Sequence, residues 1–217
     1  MKKLIAGLVV AMFAAVAVQA EEVELEPGLA VLGSGDPDAG EPLAQTCVAC
    51  HGPEGREPIQ DSWPRLSGLG EKYFYRQLVD IQEGDRMIPE MAGILDGMSD
   101  QDLRDLAAYY NTIEMPEDEA AGDAESIDMG EQLYRGGNLS SNVPACAACH
   151  GAQGKGNDPA GYPALAGQKA AYTAKSLRDY KSGDRVYGGQ TQIMADIASK
   201  LSEDEIEAVS DYIQGLY

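Results

Sequence analysis

The sequence has little histidine, little positive charge and, beyond its first twenty residues, no long apolar run. Its 16 Lys and Arg face 36 Asp and Glu, for a formal net charge of −20. A surface of that sign repels phosphate backbones and anionic lipid headgroups, which excludes nucleic-acid binding. No segment alternates apolar and polar residues for long, so nothing points to a sheet. After the N-terminal stretch, no run approaches the roughly twenty apolar residues that a membrane-spanning helix needs, so direct membrane insertion is not expected. At 44% hydrophobic and 24% charged, the composition is that of an ordinary globular chain of one or two domains.

What is present begins with Lys2-Lys3, the apolar run Leu4 to Val18, and Val18-Gln19-Ala20 ahead of Glu21-Glu22. This reads as a secretory signal, residues 1–20, cleaved after Ala20. The expected destination is the bacterial periplasm, where thiols tend to be oxidised unless otherwise occupied. The mature chain would hold 14 basic against 36 acidic groups.

All four cysteines and both histidines fall in two motifs, Cys47-Val48-Ala49-Cys50-His51 and Cys146-Ala147-Ala148-Cys149-His150. Cys-x-x-Cys-His is the attachment pattern of c-type haem: two thiols add to the vinyl groups, and the adjacent imidazole lies under the iron. Disulfides would leave the paired histidines unexplained. Zinc knuckles sharing one ion should lie far closer than 99 residues apart. Thioredoxin-like redox pairs would need a strand-helix-strand setting that the helical spacing here does not offer. Two covalently bound haem c groups are the expected cofactors, with Cys47, Cys50, Cys146 and Cys149 as anchors and His51 and His150 as iron ligands.

Sliding the chain on itself by 99 residues aligns more than the motifs. Gly55 meets Gly154, Trp63-Pro64 meets Tyr162-Pro163, Leu66 meets Leu165, and Tyr73 meets Tyr172. Gly84-Asp85-Arg86 meets Gly183-Asp184-Arg185, after which the offset becomes 103 and pairs Met91 with Met194 and Tyr109 with Tyr212. The first copy therefore lacks four residues between its arginine and its methionine. The expected layout is an acidic N-terminal extension (21–37), a first domain (38–113), an extended acidic linker (114–128) and a second domain (129–217).

Each copy is patterned for helices. Phe74, Leu78 and Ile81, and their counterparts Thr173, Leu177 and Tyr180, recur at helical spacing up to Gly84 and Gly183, expected C-terminal caps. A last helix opens at Ser99 and at Ser202, the latter with Glu205 as a capping box. It should bury Leu103, Leu106, Ala107 and Tyr110 in one copy and Ile206, Val209 and Ile213 in the other. Domains this small bury too little surface to be robust alone, so a covalent haem would supply much of the missing core.

With no third histidine, the sixth iron ligand falls to methionine. In the second domain Met194 is preferred over Met129, which lies on the helix leading into the motif. In the first, the repeat selects Met91, with Met87 the runner-up; a packed core methionine beside an open iron is the competing reading.

These motifs, each followed by [Trp/Tyr]-Pro-x-Leu-x-Gly, Gly-Asp-Arg, a distal Met and a Ser-initiated helix, resemble the dihaem cytochrome c4 family over nearly all of residues 38–217. The resemblance implies an all-α fold of two tandem class I cytochrome c domains related by a pseudo-twofold axis, with haem edges facing across their interface. It also implies one-electron shuttling between a quinol-oxidising complex or periplasmic dehydrogenase and a terminal oxidase or reductase. The expected partners are thus a redox-protein donor and acceptor, membrane-bound respiratory complexes among them, with no small-molecule substrate. A dihaem peroxidase-like enzyme and a tethered subunit of a larger exported oxidoreductase are the alternatives. Pro64 and Pro163 are candidates to offer a backbone carbonyl to the free ring nitrogens of His51 and His150, or simply to shape turns. Arg86 and Arg185 are candidates to pair with haem propionates across the interface, or to sit solvated at the surface. Trp63 and Tyr162 would pack on a haem edge or in the core.

Overall fold

The structure, a computed structural model, describes residues 35–217, so the expected signal and most of the N-terminal extension lie outside the described residues. Among the described residues there are nine α-helices, joined by loops and short 3₁₀ turns. The first copy contributes α1 (Pro37–Leu43), α2 (Val48–His51), α3 (Glu71–Glu83) and α4 (Asp100–Asn111). The second contributes α5 (Ala124–Gly136), α6 (Ala147–His150), α7 (Ala170–Ser182), α8 (Gln190–Ala198) and α9 (Glu203–Gln214). Among the described residues there is no strand; two isolated bridges, Asn138 with Val143 and Asn157 with Tyr162, pin loops of the second copy.

The helix signals in the sequence act where expected. α3 and α7 stop at Gly84 and Gly183, both left-handed, with φ of 83° and 92°. Ser99 and Ser202 cap α4 and α9, and both form full capping boxes, Asp102 serving in the first copy as Glu205 does in the second. The apolar faces of these two helices are the cores of the two copies: Leu103, Leu106, Ala107 and Tyr110 in one, Ile206, Val209 and Ile213 in the other, none more than 2% exposed.

Against each of these helices lies the first helix of its copy. A Cβ at Gly40 of α1 would sit 2.1 Å from the Asp105 carbonyl of α4. One at Gly130 of α5 would sit 2.0 Å from the Ala208 carbonyl of α9. Asp105 and Ala208 are repeat equivalents, so both copies cross their terminal helices backbone to backbone at a glycine.

The extended linker expected over 114–128 needs correction. Asp123 caps α5, so the helix takes up Ala124 onward and only residues up to 122 are extended. The acid-rich composition that suggested a linker is partly helix N-terminus, where carboxylates are favoured. The remaining linker is docked rather than loose: Asp118 bonds Arg65 at 2.9 Å and Lys169 at 3.5 Å, and Gln214 Nε2 donates to the Glu119 carbonyl at 3.0 Å.

Between the copies, contacts come in reciprocal pairs. Arg65 N donates to Gln168 Oε1 at 2.9 Å, while Ala164 N donates to the Leu69 carbonyl at 3.2 Å; the repeat carries 65 onto 164 and 69 onto 168. Likewise Arg86 Nη2 donates to Tyr172 Oη at 3.3 Å and Arg185 Nη2 to Tyr73 Oη at 2.8 Å. Such exchange of partners is the signature of a twofold contact, here a pseudo-twofold axis within one chain. Arg65 anchors the seam: it is 2% exposed, and besides Asp118 it reaches Glu57 and the carbonyls of Arg56 and Gly167.

Candidate cofactor sites

α2 and α6 are single turns that carry the two motifs. Each ends at a glycine of positive φ, Gly52 at 75° and Gly151 at 83°, which turns the chain away directly after the histidine. Gly55 and Gly154 then accept a 2.7 Å backbone bond from Leu66 and Leu165, so the loop after each motif returns its proline to the histidine. His51 Nδ1 lies 2.9 Å from the Pro64 carbonyl, and His150 Nδ1 lies 2.9 Å from the Pro163 carbonyl.

That contact fixes the ring chemistry. Both histidines are buried, and burial lowers their pKa, only partly opposed by the carbonyl, so the neutral imidazole is the stable form at neutral pH. With Nδ1–H donating to a carbonyl, Nε2 keeps its lone pair for a metal. Trp63 and Tyr162 flank the rings equivalently, with centroids 6.4 and 6.1 Å from those of His51 and His150.

In the second copy the motif opens on a cavity of about 340 Å³. Cys146, Cys149, His150 and Met194 share its wall, completed by apolar side chains such as Leu177 and Val209. Burial pushes the Cys146 thiol up to about 11, so it stays protonated and neutral against that apolar wall, whereas Cys149 is exposed. Met194 stands on α8. In the first copy the four-residue shortening replaces that helix by one 3₁₀ turn, Pro89–Met91, and Met91 packs half-buried against the core. Met87, the runner-up, is 80% exposed. Met129 lies on α5 and is 39% exposed, and the cavity wall does not include it.

The arginines lie at the seam between the copies rather than in solvent. Arg185 is 4% exposed, lines the cavity, stacks 4.7 Å over the Tyr180 ring, and leaves its Nε buried without a partner. Arg86 and Arg185 both donate to Gln77 Oε1, at 2.9 and 2.8 Å. Among the described residues neither pairs with a carboxylate. The effect of this unbalanced charge is visible at Tyr172: burial resists ionisation, yet the two guanidiniums hold its pKa below the ordinary phenol value. A buried Arg185 with an orphaned N–H beside an apolar cavity, joined through Gln77 to the half-buried Arg86, fits a flat apolar cofactor that carries carboxylates. The residues present therefore fit haem c.

Sequence reasoning missed Gln77, Arg65, Gln168 and the glycines Gly40 and Gly130. Tyr73 and Tyr172 had a signal, since they coincide at the repeat offset; Gln77 had none, because its counterpart is Ser176.

Comparison with known proteins covers both copies. The cytochrome c family model matches residues 37–114 and again 127–217. A curated relative, cytochrome c4 of Azotobacter vinelandii, is 47% identical over 193 residues, covering 85% of this chain and 90% of its own length. A protein of Stutzerimonas stutzeri named as a thiosulfate dehydrogenase electron acceptor is 34% identical over 172 residues, covering 79% of each. Among solved structures, reduced recombinant cytochrome c4 from Pseudomonas stutzeri superimposes with a TM-score of 0.81 at 45% identity, covering 85% of this chain and all of the other.

Proposed function

The chain belongs to the cytochrome c4 family, dihaem c-type electron carriers, and from that premise we propose that it works in the periplasm. There it takes electrons one at a time from a redox-protein donor, such as a periplasmic dehydrogenase or a quinol-oxidising complex. It passes them to a terminal oxidase or reductase. The relative named as an electron acceptor of thiosulfate dehydrogenase supports a dehydrogenase on the donor side. Among the described residues no helix is long and apolar enough to cross a membrane.

Haem c, when bound, supplies reversible one-electron Fe(III)/Fe(II) chemistry. The chain's own residues fit it for transfer rather than turnover. Cys47, Cys50, Cys146 and Cys149 are the covalent anchors in this reading. His51 and His150 present a neutral Nε2, held in orientation by the Pro64 and Pro163 carbonyls. Met91 and Met194 would supply the remaining iron ligand of each site, and a soft thioether in that role would favour the reduced state. Both sites would then be saturated, leaving no position for a substrate to bind the metal. Arg86 and Arg185 would pair with the cofactor carboxylates, whose burial would otherwise be uncompensated.

The observation that carries this reading is the second-copy cavity, which Cys146, Cys149, His150, Met194 and Arg185 all line. The test is the absorption spectrum of purified protein, with haem counted as the pyridine haemochrome and the far-red methionine-to-iron band quantified per haem. Two haems and two such bands are expected, with Met91→Ala and Met194→Ala each removing one. A band that survives in either variant would reassign that ligand, and a haem count other than two would overturn the reading.

A further inference from the structure

Gln77 stands out as the place where the pseudo-twofold symmetry breaks. Its Oε1 accepts from Arg86 Nη1 at 2.9 Å, from Arg185 Nη2 at 2.8 Å and from Tyr187 Oη at 3.4 Å, while its Nε2 donates to Asp80 Oδ2 at 3.0 Å. The side chain is 5% exposed. The tyrosine partners of the two arginines exchange under the repeat, but Gln77 does not: Ser176 stands in its place, and among the described residues it makes no hydrogen bond to either guanidinium. Both arginines are therefore gathered onto one acceptor contributed by the first copy.

The chemistry of that acceptor matters. An amide carbonyl can hold two guanidiniums side by side without cancelling their charge; a carboxylate at the same point would neutralise one of them. Gln77 also lines the second copy's cavity, together with Tyr73, so part of the wall of the second cofactor site is built by the first copy. A cation held at a haem edge favours the reduced, less positive iron, and its effect is strong where water is excluded. Two such cations sharing one acceptor cannot respond to one site independently of the other.

We propose that Gln77 is a positioning residue that makes the two cofactor sites unequal and couples their redox steps, acting through Arg86 and Arg185. This rests on the reading that those arginines face the haem carboxylates.

The experiment is a spectroelectrochemical titration of the holoprotein and three variants, each with its haem counted and its thermal midpoint measured. Gln77→Met keeps the length and removes the acceptor, Gln77→Glu keeps the shape and adds a negative charge, and Ser176→Ala is the control at the repeat equivalent. Wild type should titrate in two one-electron steps. Gln77→Met should narrow their separation by about 59 mV, a tenfold change in the equilibrium constant for moving an electron between the haems. Gln77→Glu should lower both potentials, and Ser176→Ala should change neither. A Gln77→Met protein that binds two haems and titrates like wild type overturns the proposal, even if it is less stable. A single potential for both haems of wild type overturns it too. A protein that does not bind two haems instead overturns the underlying functional reading.

Discussion

Arg185 of the second repeat donates to the hydroxyl of Tyr73 in the first at 2.8 Å, and only 4% of its surface reaches solvent. Its image, Arg86 to Tyr172, is longer at 3.3 Å and its arginine is half-buried. The two bonds are equivalent in topology but unequal in environment, and the difference is measurable. Tyr73→Phe removes a short bond to a buried charge and should destabilise the holoprotein by about 1.5 kcal/mol or more. Tyr172→Phe should cost about half as much or less. Urea midpoints at equal slope give the comparison, and the reverse order would mean that the seam is tighter around Arg86.

The glycine crossings allow no side chain. At Gly130 a methyl group would meet the Ala208 carbonyl at 2.0 Å, a backbone atom that cannot swing aside, so α5 and α9 must separate. Gly130→Ala and Gly40→Ala should each cost about 3 kcal/mol or more. Gly136, at the end of the same α5, has nothing within 4 Å of the corresponding point. Gly136→Ala should therefore be neutral or stabilising by about 0.5 kcal/mol. Thermal melts of the three variants check both signs.

The linker clamp makes a prediction about acid. Burial tends to raise the pKa of Asp118, but its bonds to Arg65 and to the Glu119 N–H, with Lys169 nearby, bring it below the ordinary value of 3.8. A depressed carboxylate contributes stability that is complete above its unfolded value and disappears as pH falls through the lower folded one. Asp118→Asn should cost about 1 to 2 kcal/mol at pH 7, with Glu57 still bonded to Arg65, and progressively less below pH 3.8. Urea titrations at pH 7 and at pH 3 give the two costs; equal costs would show that the carboxylate charge is not what holds the linker.

The histidine contacts depend on carbonyls rather than on proline rings. Pro163→Ala keeps the acceptor 2.9 Å from His150 Nδ1, so the potential of that haem should move by less than about 59 mV, a tenfold equilibrium change for one electron. A larger shift would mean that the ring, not the carbonyl, sets the imidazole.

Much of this was legible because the repeat wrote it twice. The haem motifs, the helix caps at Gly84 and Gly183, the last-helix cores and the proline partners of the histidines each recur at a fixed offset, and each answers to local chemistry. The crossings at Gly40 and Gly130 were hidden by a third offset. Gly130 precedes its motif by nine more residues than Gly40 does, the extra chain forming the loop pinned by Asn138 and Val143. The linker was misjudged because acidic composition describes both a solvated tether and the first turn of a helix. Arg65 and Gln77 gave no signal, since their counterparts are Ala164 and Ser176 and their bonds cross between copies. Long-range pairs that break the symmetry leave no trace in a periodic reading.

The reciprocal seam has one more consequence. A self-complementary contact satisfies both of its patches at once, and here both partners sit on a single chain. The surface that could have joined one molecule to the next is consumed within the molecule, so this contact cannot propagate into filaments. Fusion of the two copies also holds each at the other's side whatever the dilution. A separate pair of identical subunits would have to carry Gln77 on both sides or on neither. A fused pair is free to keep it on one.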